Sequence, residues 1–190
     1  MTSDDRWRVQ STRTVLRDRW IDVRADSCVT PAGISIDPYY VLSYADFVHI
    51  VAVTPDDCLV MVRQYRHAAG EVFLELPGGI ADATDGRPEV TASRELLEET
   101  GYEAAGMRLA ASLFVNPATH NNRIHTCVAT DAVRAGAQAL DAGEEGLAVE
   151  LIPVARVIAG LSDGLIRGSM VVTSIMLGLA SVGRLTYSAA

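Results

Sequence analysis

An α+β fold is what this 190-residue chain predicts, on three observations. Short strand-like segments come first, one well-punctuated helix follows, and further strands then give way to helices. Regular strand–helix alternation, the mark of a parallel βαβ sheet, is missing. With 49% hydrophobic residues the chain can bury a full core. Its length suits one domain with a small extra layer.

The elements follow in order. Residues 8–15 alternate loosely between apolar and polar, and residues 20–25 clearly, as half-buried strands do. Pro31-Ala32-Gly33 is turn chemistry before a strand at 39–42. Apolar runs at 48–53 and 59–62 flank Pro55-Asp56-Asp57, which predicts a hairpin. A strand at 72–76 ends in Pro77-Gly78-Gly79. The helix predicted over Pro88–Thr100 has proline in its first turn and Gly101 just past its end. Val90, Leu96 and Leu97 are its expected buried side. Strands return at 109–115 and 123–129, and the Gly/Ala-rich stretch 135–146 reads as a loop. A strand at 147–152 precedes helices at 154–161 and 169–182, the last apolar enough for core or interface packing.

Sixteen Lys and Arg against 24 Asp and Glu leave a net charge of −8. Such a chain has no global field for nucleic acid or an anionic membrane, and neither is an expected partner. A phosphate-bearing ligand would need a local Arg or a metal ion. Cys28, Cys58 and Cys127 form no CxxC pair, which argues against a disulfide framework and a thiolate zinc site. Residues 1–6 lack the apolar core of a secretory signal, and the run 170–182 falls short of the roughly 20 residues of a membrane span. A cytoplasmic location is the expectation.

The helix Pro88–Thr100 carries the chemistry. Glu95, Glu98 and Glu99 stand at i, i+3 and i+4 and share one face. A Glu-rich helix ordinarily shows such a face to solvent. Here the carboxylates lie near the helix's C-terminal end, where the macrodipole disfavours negative charge. A strand and a Pro-Gly-Gly turn precede the helix and can bring backbone groups to that face. A bound divalent cation such as Mg²⁺, which takes oxygen ligands and bridges to phosphates, accounts for both features.

Gly79 together with Arg94-Glu95-Leu96-Leu97-Glu98-Glu99-Thr100-Gly101-Tyr102 resembles the Nudix box, Gly-x5-Glu-x7-Arg-Glu-U-x-Glu-Glu-x-Gly-U with U apolar. The second half matches throughout. The first half is one residue longer than the pattern. Counting forward from Gly79 puts Asp85 at the first Glu position, and counting back from Arg94 puts Gly86 there. An insertion after Asp85 reconciles the two, with Asp82 and Glu89 as other substitutes. Val62-Arg63-Gln64-Tyr65-Arg66 and Glu75-Leu76-Pro77-Gly78-Gly79 resemble the strands before the box in the ADP-ribose pyrophosphatase branch. Pro117 resembles that branch's substrate marker, and Asp141-Ala142-Gly143-Glu144-Glu145 resembles its acidic loop.

The resemblance implies a Nudix-fold α/β/α sandwich over residues 46–190, with an N-terminal antiparallel β extension at 1–45 that contributes to a homodimer. It implies Mg²⁺-dependent hydrolysis of a nucleoside diphosphate sugar, with Mn²⁺ as the alternative ion. ADP-ribose, cleaved to AMP and ribose 5-phosphate, is the expected substrate. The same chemistry on GDP-mannose and a non-catalytic nucleotide sensor are the alternatives. Gly78, Glu95, Glu98 and Glu99 are the candidate metal residues, and Glu144, Glu98 and Glu145 the candidate catalytic carboxylates. Arg66 and Pro117 are candidate substrate contacts, and Arg94 is expected to pair with Glu98. His120 and His125 are expected as surface or hydrogen-bonded residues. Trp7, Trp20, Tyr39 and Tyr40 are expected in sheet packing, with base stacking across a subunit interface as the other reading.

Overall fold

Alternating side chains near the N-terminus form three strands: β1 (Arg8–Arg17), β2 (Asp22–Val29) and β3 (Ser35–Ser43). They pair antiparallel in the order β1–β2–β3, with Arg13 opposite Ala25 and Ala25 opposite Tyr40. The computed structural model describes residues 5–81 and 84–186. In it the described residues up to 45, with 114–123, form one compact unit. Within that unit Leu42 N–H donates to Thr119 O at 2.8 Å and Asn122 Nδ2 to Ala45 O at 3.1 Å. Ala25, Asp26 and Cys28 of the middle strand are buried, whereas every residue of β1 is exposed. The buried charge of Asp26 is met by Arg24 at 3.0 Å and Thr12 at 2.8 Å. Trp7 meets Tyr39 edge to face and His120 stacks on Tyr44, while Trp20 stands exposed.

The second unit takes the described residues within 46–113 and 124–186. Its larger strands are β4 (Phe47–Ala52), β5 (Cys58–Arg66), β6 (Glu71–Glu75), β8 (Arg108–Phe114), β9 (Arg123–Ala129) and β11 (Ala148–Pro153). The pair β7 (Tyr102–Glu103) and β10 (Val133–Arg134) is short, and the helices are α1 (Pro88–Thr100), α2 (Val154–Asp163) and α3 (Ser169–Ser181). Two three-stranded sheets run β4–β9–β8 and β11–β5–β6. Of the expected 48–62 hairpin only the turn end forms, with Thr54 N–H donating to Cys58 O at 2.8 Å, and the two strands then enter different sheets. β4 pairs in parallel with β9, from Phe47 opposite Ile124 to Ala52 opposite Ala129, and an antiparallel bridge joins Val53 just past its end to Leu59 of β5. Both runs are apolar on both faces, so neither carries an alternation that could identify its partner.

Successive residues of β4 feed opposite cores, because side chains alternate across a strand. Val48, Ile50 and Ala52 join Val60, Ala92, Leu96 and Cys127 on the α1 side. Val51 and Val53 join Leu59, Met61, Val157, Ile175 and Leu179 on the side of α2 and α3. A Cβ on Gly178 would lie 2.5 Å from Val51 Cγ2, so glycine is what lets α3 approach β4. The apolar C-terminal stretch is thus core. Among the described residues no helix is long and apolar enough to cross a membrane, and all three cysteines are free thiols.

Candidate active site

α1 begins with proline in its first turn and ends at Gly101 in the left-handed conformation (φ 72°), whose N–H caps Leu97 O. Of its expected buried side only Leu96 turns inward. Thr91, Ala92, Glu95, Leu96, Glu99 and Thr100 are buried, while Val90 and Leu97 are exposed. The carboxylates face inward because the turn after β6 is built to receive them. Gly78 N–H donates to Glu99 Oε2 at 2.8 Å. A Cβ on Gly79 would overlap the Glu95 carboxylate, and one on Gly78 the Val48 carbonyl oxygen. The carbonyls of Pro77 and Gly79 accept from Ile50 and Val48, both at 2.9 Å, which ties the turn to β4 on either side of Gly78.

Glu144 completes the group. It lies at the end of a 3-10 turn, Ala142–Glu144, and its Oε2 accepts from Asp141 N–H at 2.9 Å. Carboxylate oxygens of Glu95, Glu99 and Glu144 all lie within 4.8 Å of one another. Burial, with Glu144 and Glu95 nearby, pushes the Glu99 carboxyl up to about 8, against the pull of Gly78 N–H and Arg66. Burial also raises Glu95, opposed by Arg94. Two buried carboxylates and a half-buried third, all oxygen donors that repel one another, are what a hard divalent cation neutralises, so these residues fit one.

Arg94 organises the rest of the helix face. It reaches Glu98 at 2.8 Å, Glu95 at 2.9 Å and Asp85 at 3.3 Å. Burial works against its charge, but these carboxylates outweigh it and hold the guanidinium above its ordinary value. Glu98 therefore sits on Arg94 and stands outside the carboxylate trio. Asp85 also accepts from Thr91 Oγ1 at 2.9 Å, and Gly86 beside it takes a positive φ of 71°. The longer first half of the box thus places Asp85, not Gly86, against Arg94. Glu89 lies in the first turn of α1, and Asp82 lies outside the described residues.

Arg66 Nε donates to Glu75 at 2.7 Å, leaving the terminal nitrogens of its fork for other acceptors. Glu145 is exposed. Pro117 is exposed too and belongs to the other unit. His125 Nε2 lies 3.4 Å from Asp46, and His120 Nδ1 lies 3.0 Å from Thr119 Oγ1.

The family model of the NUDIX domain matches residues 44–167. The chain belongs to the Nudix family. A second model, the nucleoside diphosphate sugar hydrolase N-terminal domain, matches residues 7–42. Among relatives of this Nudix chain is the ADP-ribose pyrophosphatase of Mycobacterium tuberculosis, 28% identical over 154 residues, 81% of this chain and 74% of the relative. The ADP-ribose pyrophosphatase of Bacillus subtilis is 30% identical over 111 residues, 58% of this chain and 59% of the relative. The GDP-mannose pyrophosphatase of Citrobacter koseri is 30% identical over 118 residues, 57% of this chain and 60% of the relative. A crystal structure of an ADP compounds hydrolase superposes with a TM-score of 0.81 at 22% identity, covering 94% of this chain and 97% of that one, and so shares the fold. The Nudix chain is a pyrophosphatase of the nucleoside diphosphate sugar class.

Proposed function

We propose that this Nudix enzyme hydrolyses ADP-ribose to AMP and ribose 5-phosphate with Mg²⁺. The observation that carries the reading is the convergence of Glu95, Glu99 and Glu144 within 4.8 Å beside the Gly78–Gly79 turn. Glu95 and Glu99, with the Gly78 carbonyl, would hold the ion, and Mn²⁺ could replace it. Glu98, held on Arg94, is the further candidate for that ion. Bound there, the cation supplies charge neutralisation for the diphosphate and acidifies the attacking water.

Glu144 takes the proton of that water, with Glu145 as the nearby substitute. Oxygen attacks one phosphorus, the bridging P–O bond breaks, and the departing phosphate keeps the bridging oxygen. Arg66 meets a phosphate oxygen with its terminal nitrogens, which also explains how an acidic protein holds an anionic substrate. Pro117 is a substrate contact in this reading by its resemblance to the branch's marker. ADP-ribose is favoured over GDP-mannose because the match to the mycobacterial ADP-ribose pyrophosphatase runs over 81% of the chain, against 57% for the GDP-mannose relative.

Residues 46–190 carry the hydrolase in this reading, and residues 1–45 the contact of a homodimer. Support for the dimer comes from β1, whose residues are all exposed and which includes Val9, Val15 and Leu16. A two-faced exposed edge strand with apolar side chains is a surface that proteins cover.

Purified protein incubated with Mg²⁺ and a panel of ADP-ribose, GDP-mannose, other nucleotide sugars, NADH and dinucleoside polyphosphates tests the reading beside Glu99→Gln. ADP-ribose turnover that the variant loses is the expected result. Faster turnover of another member overturns the substrate, and binding of ADP-ribose without cleavage overturns the enzyme in favour of a sensor.

A further inference from the structure

Residues 135–139 run back along the C-terminal end of α1 and meet carbonyls that a helix leaves unpaired. Ala135 and Gly136 N–H donate to Gly101 O at 2.8 and 3.1 Å, and Ala139 N–H donates to Glu98 O at 2.8 Å. Between these backbone contacts Gln138 Nε2 donates to Glu99 O at 2.7 Å and reaches Leu147 O at 3.4 Å. The approach is close, since a Cβ on Gly101 would overlap Gly136 O. Leu147 is buried, and its N–H donates to Glu144 O at 2.9 Å.

One side-chain amide therefore joins three pieces. They are the residue whose carboxylate stands in the trio and the two stems of the loop from which Glu144 projects. We propose that Gln138 is a positioning residue for the hydrolysis: it holds that loop in register with α1, so that Glu144 meets the attacking water. The proposal rests on the reading of Glu144 as proton acceptor. The chemistry suits the place. The amide nitrogen brings two donors to a helix end that presents only acceptors, whereas a carboxylate there would face carbonyls and the negative end of the dipole. A lysine would supply donors and a favourable charge.

The test compares steady-state kinetics of Gln138→Ala, Gln138→Glu, Gln138→Lys, Glu144→Gln and the double variant Gln138→Ala/Glu144→Gln, on the panel substrate turned over fastest. Amide hydrogen exchange over residues 139–147 is followed alongside. Gln138→Ala is expected to lower kcat roughly 3- to 10-fold, the worth of one hydrogen bond, with KM little changed and faster exchange in the loop. Lysine restores most of kcat and glutamate does not. In the Glu144→Gln background the alanine substitution costs nothing further, because both changes act through one group. An undiminished kcat in Gln138→Ala, a loss carried by KM, or an equal further loss in the Glu144→Gln background overturns the positioning role. Parental kcat in Glu144→Gln alone overturns the reading of Glu144, and with it the proposal, at Glu144 and not at Gln138.

Discussion

Gly79 has no side chain because the Glu95 carboxylate occupies the space a Cβ would take. Gly79→Ala must push that carboxylate out of the trio, and metal affinity and kcat are expected to fall roughly 10- to 100-fold. Titration calorimetry with Mn²⁺ and steady-state rates check this, and parental values in both would place the ion elsewhere. Asp85 shows what sequence could and could not resolve at this scale. Counting from Gly79 and from Arg94 gave different residues, because a one-residue insertion breaks the register without revealing where the loop absorbs it. The structure puts Asp85 on Arg94 and gives Gly86 a positive φ, which agrees with reading Asp85 as the stand-in for the first Glu. Arg94–Glu98 was legible at once, since residues four apart on a helix are neighbours.

α1 follows the usual rule for an amphipathic helix only in part, burying Ala92 and Leu96 in the core. It buries Glu95 and Glu99 and exposes Val90 and Leu97, since its inner face meets the Gly78–Gly79 turn as well as the α1-side core. Apolar spacing could not foresee this. β4 is the second case, its parallel partner β9 lying far along the chain. The same strand leaves His49 half-buried, its Nδ1 3.1 Å from Ser174 Oγ, with Thr126 Oγ1 donating to the same oxygen at 2.9 Å. Burial first, then the nearby Arg66, lowers His49 from 6.5 to about 4. Between those values the unfolded chain takes up a proton that the folded chain refuses. The stability is whole above pH 6.5 and declines as pH falls toward 4, by roughly 3 kcal/mol. Denaturant unfolding at pH 7.5 and 4.5 is expected to show about 2 kcal/mol less acid loss in His49→Gln than in the parent. Equal losses would mean that His49 is protonated in the folded core.

At the scale of the molecule, the exposure of β1 bears on assembly. Leu16 is 52% and Trp20 65% exposed in the single chain. Light scattering is expected to give twice the chain mass of 20.3 kDa, and Leu16→Asp, which buries a charge in the proposed contact, to give one chain at micromolar concentration. A parent that already runs as one chain sinks the dimer.

The α+β order, the bounds of α1 and the second half of the box were readable in the chain because each rests on neighbours in sequence: turn residues, a cap and a four-residue spacing. Folding alone decided which carboxylates meet. Glu98 and Glu99 are adjacent and chemically identical, yet the helix's roll sends one to Arg94 and the other to Gly78 N–H. Glu144 joins them from 45 residues beyond Glu99, through backbone bonds between its loop and the end of α1. Contacts between segments so far apart depend on loop closure and on which face each element buries, and no local pattern of residue types encodes either one.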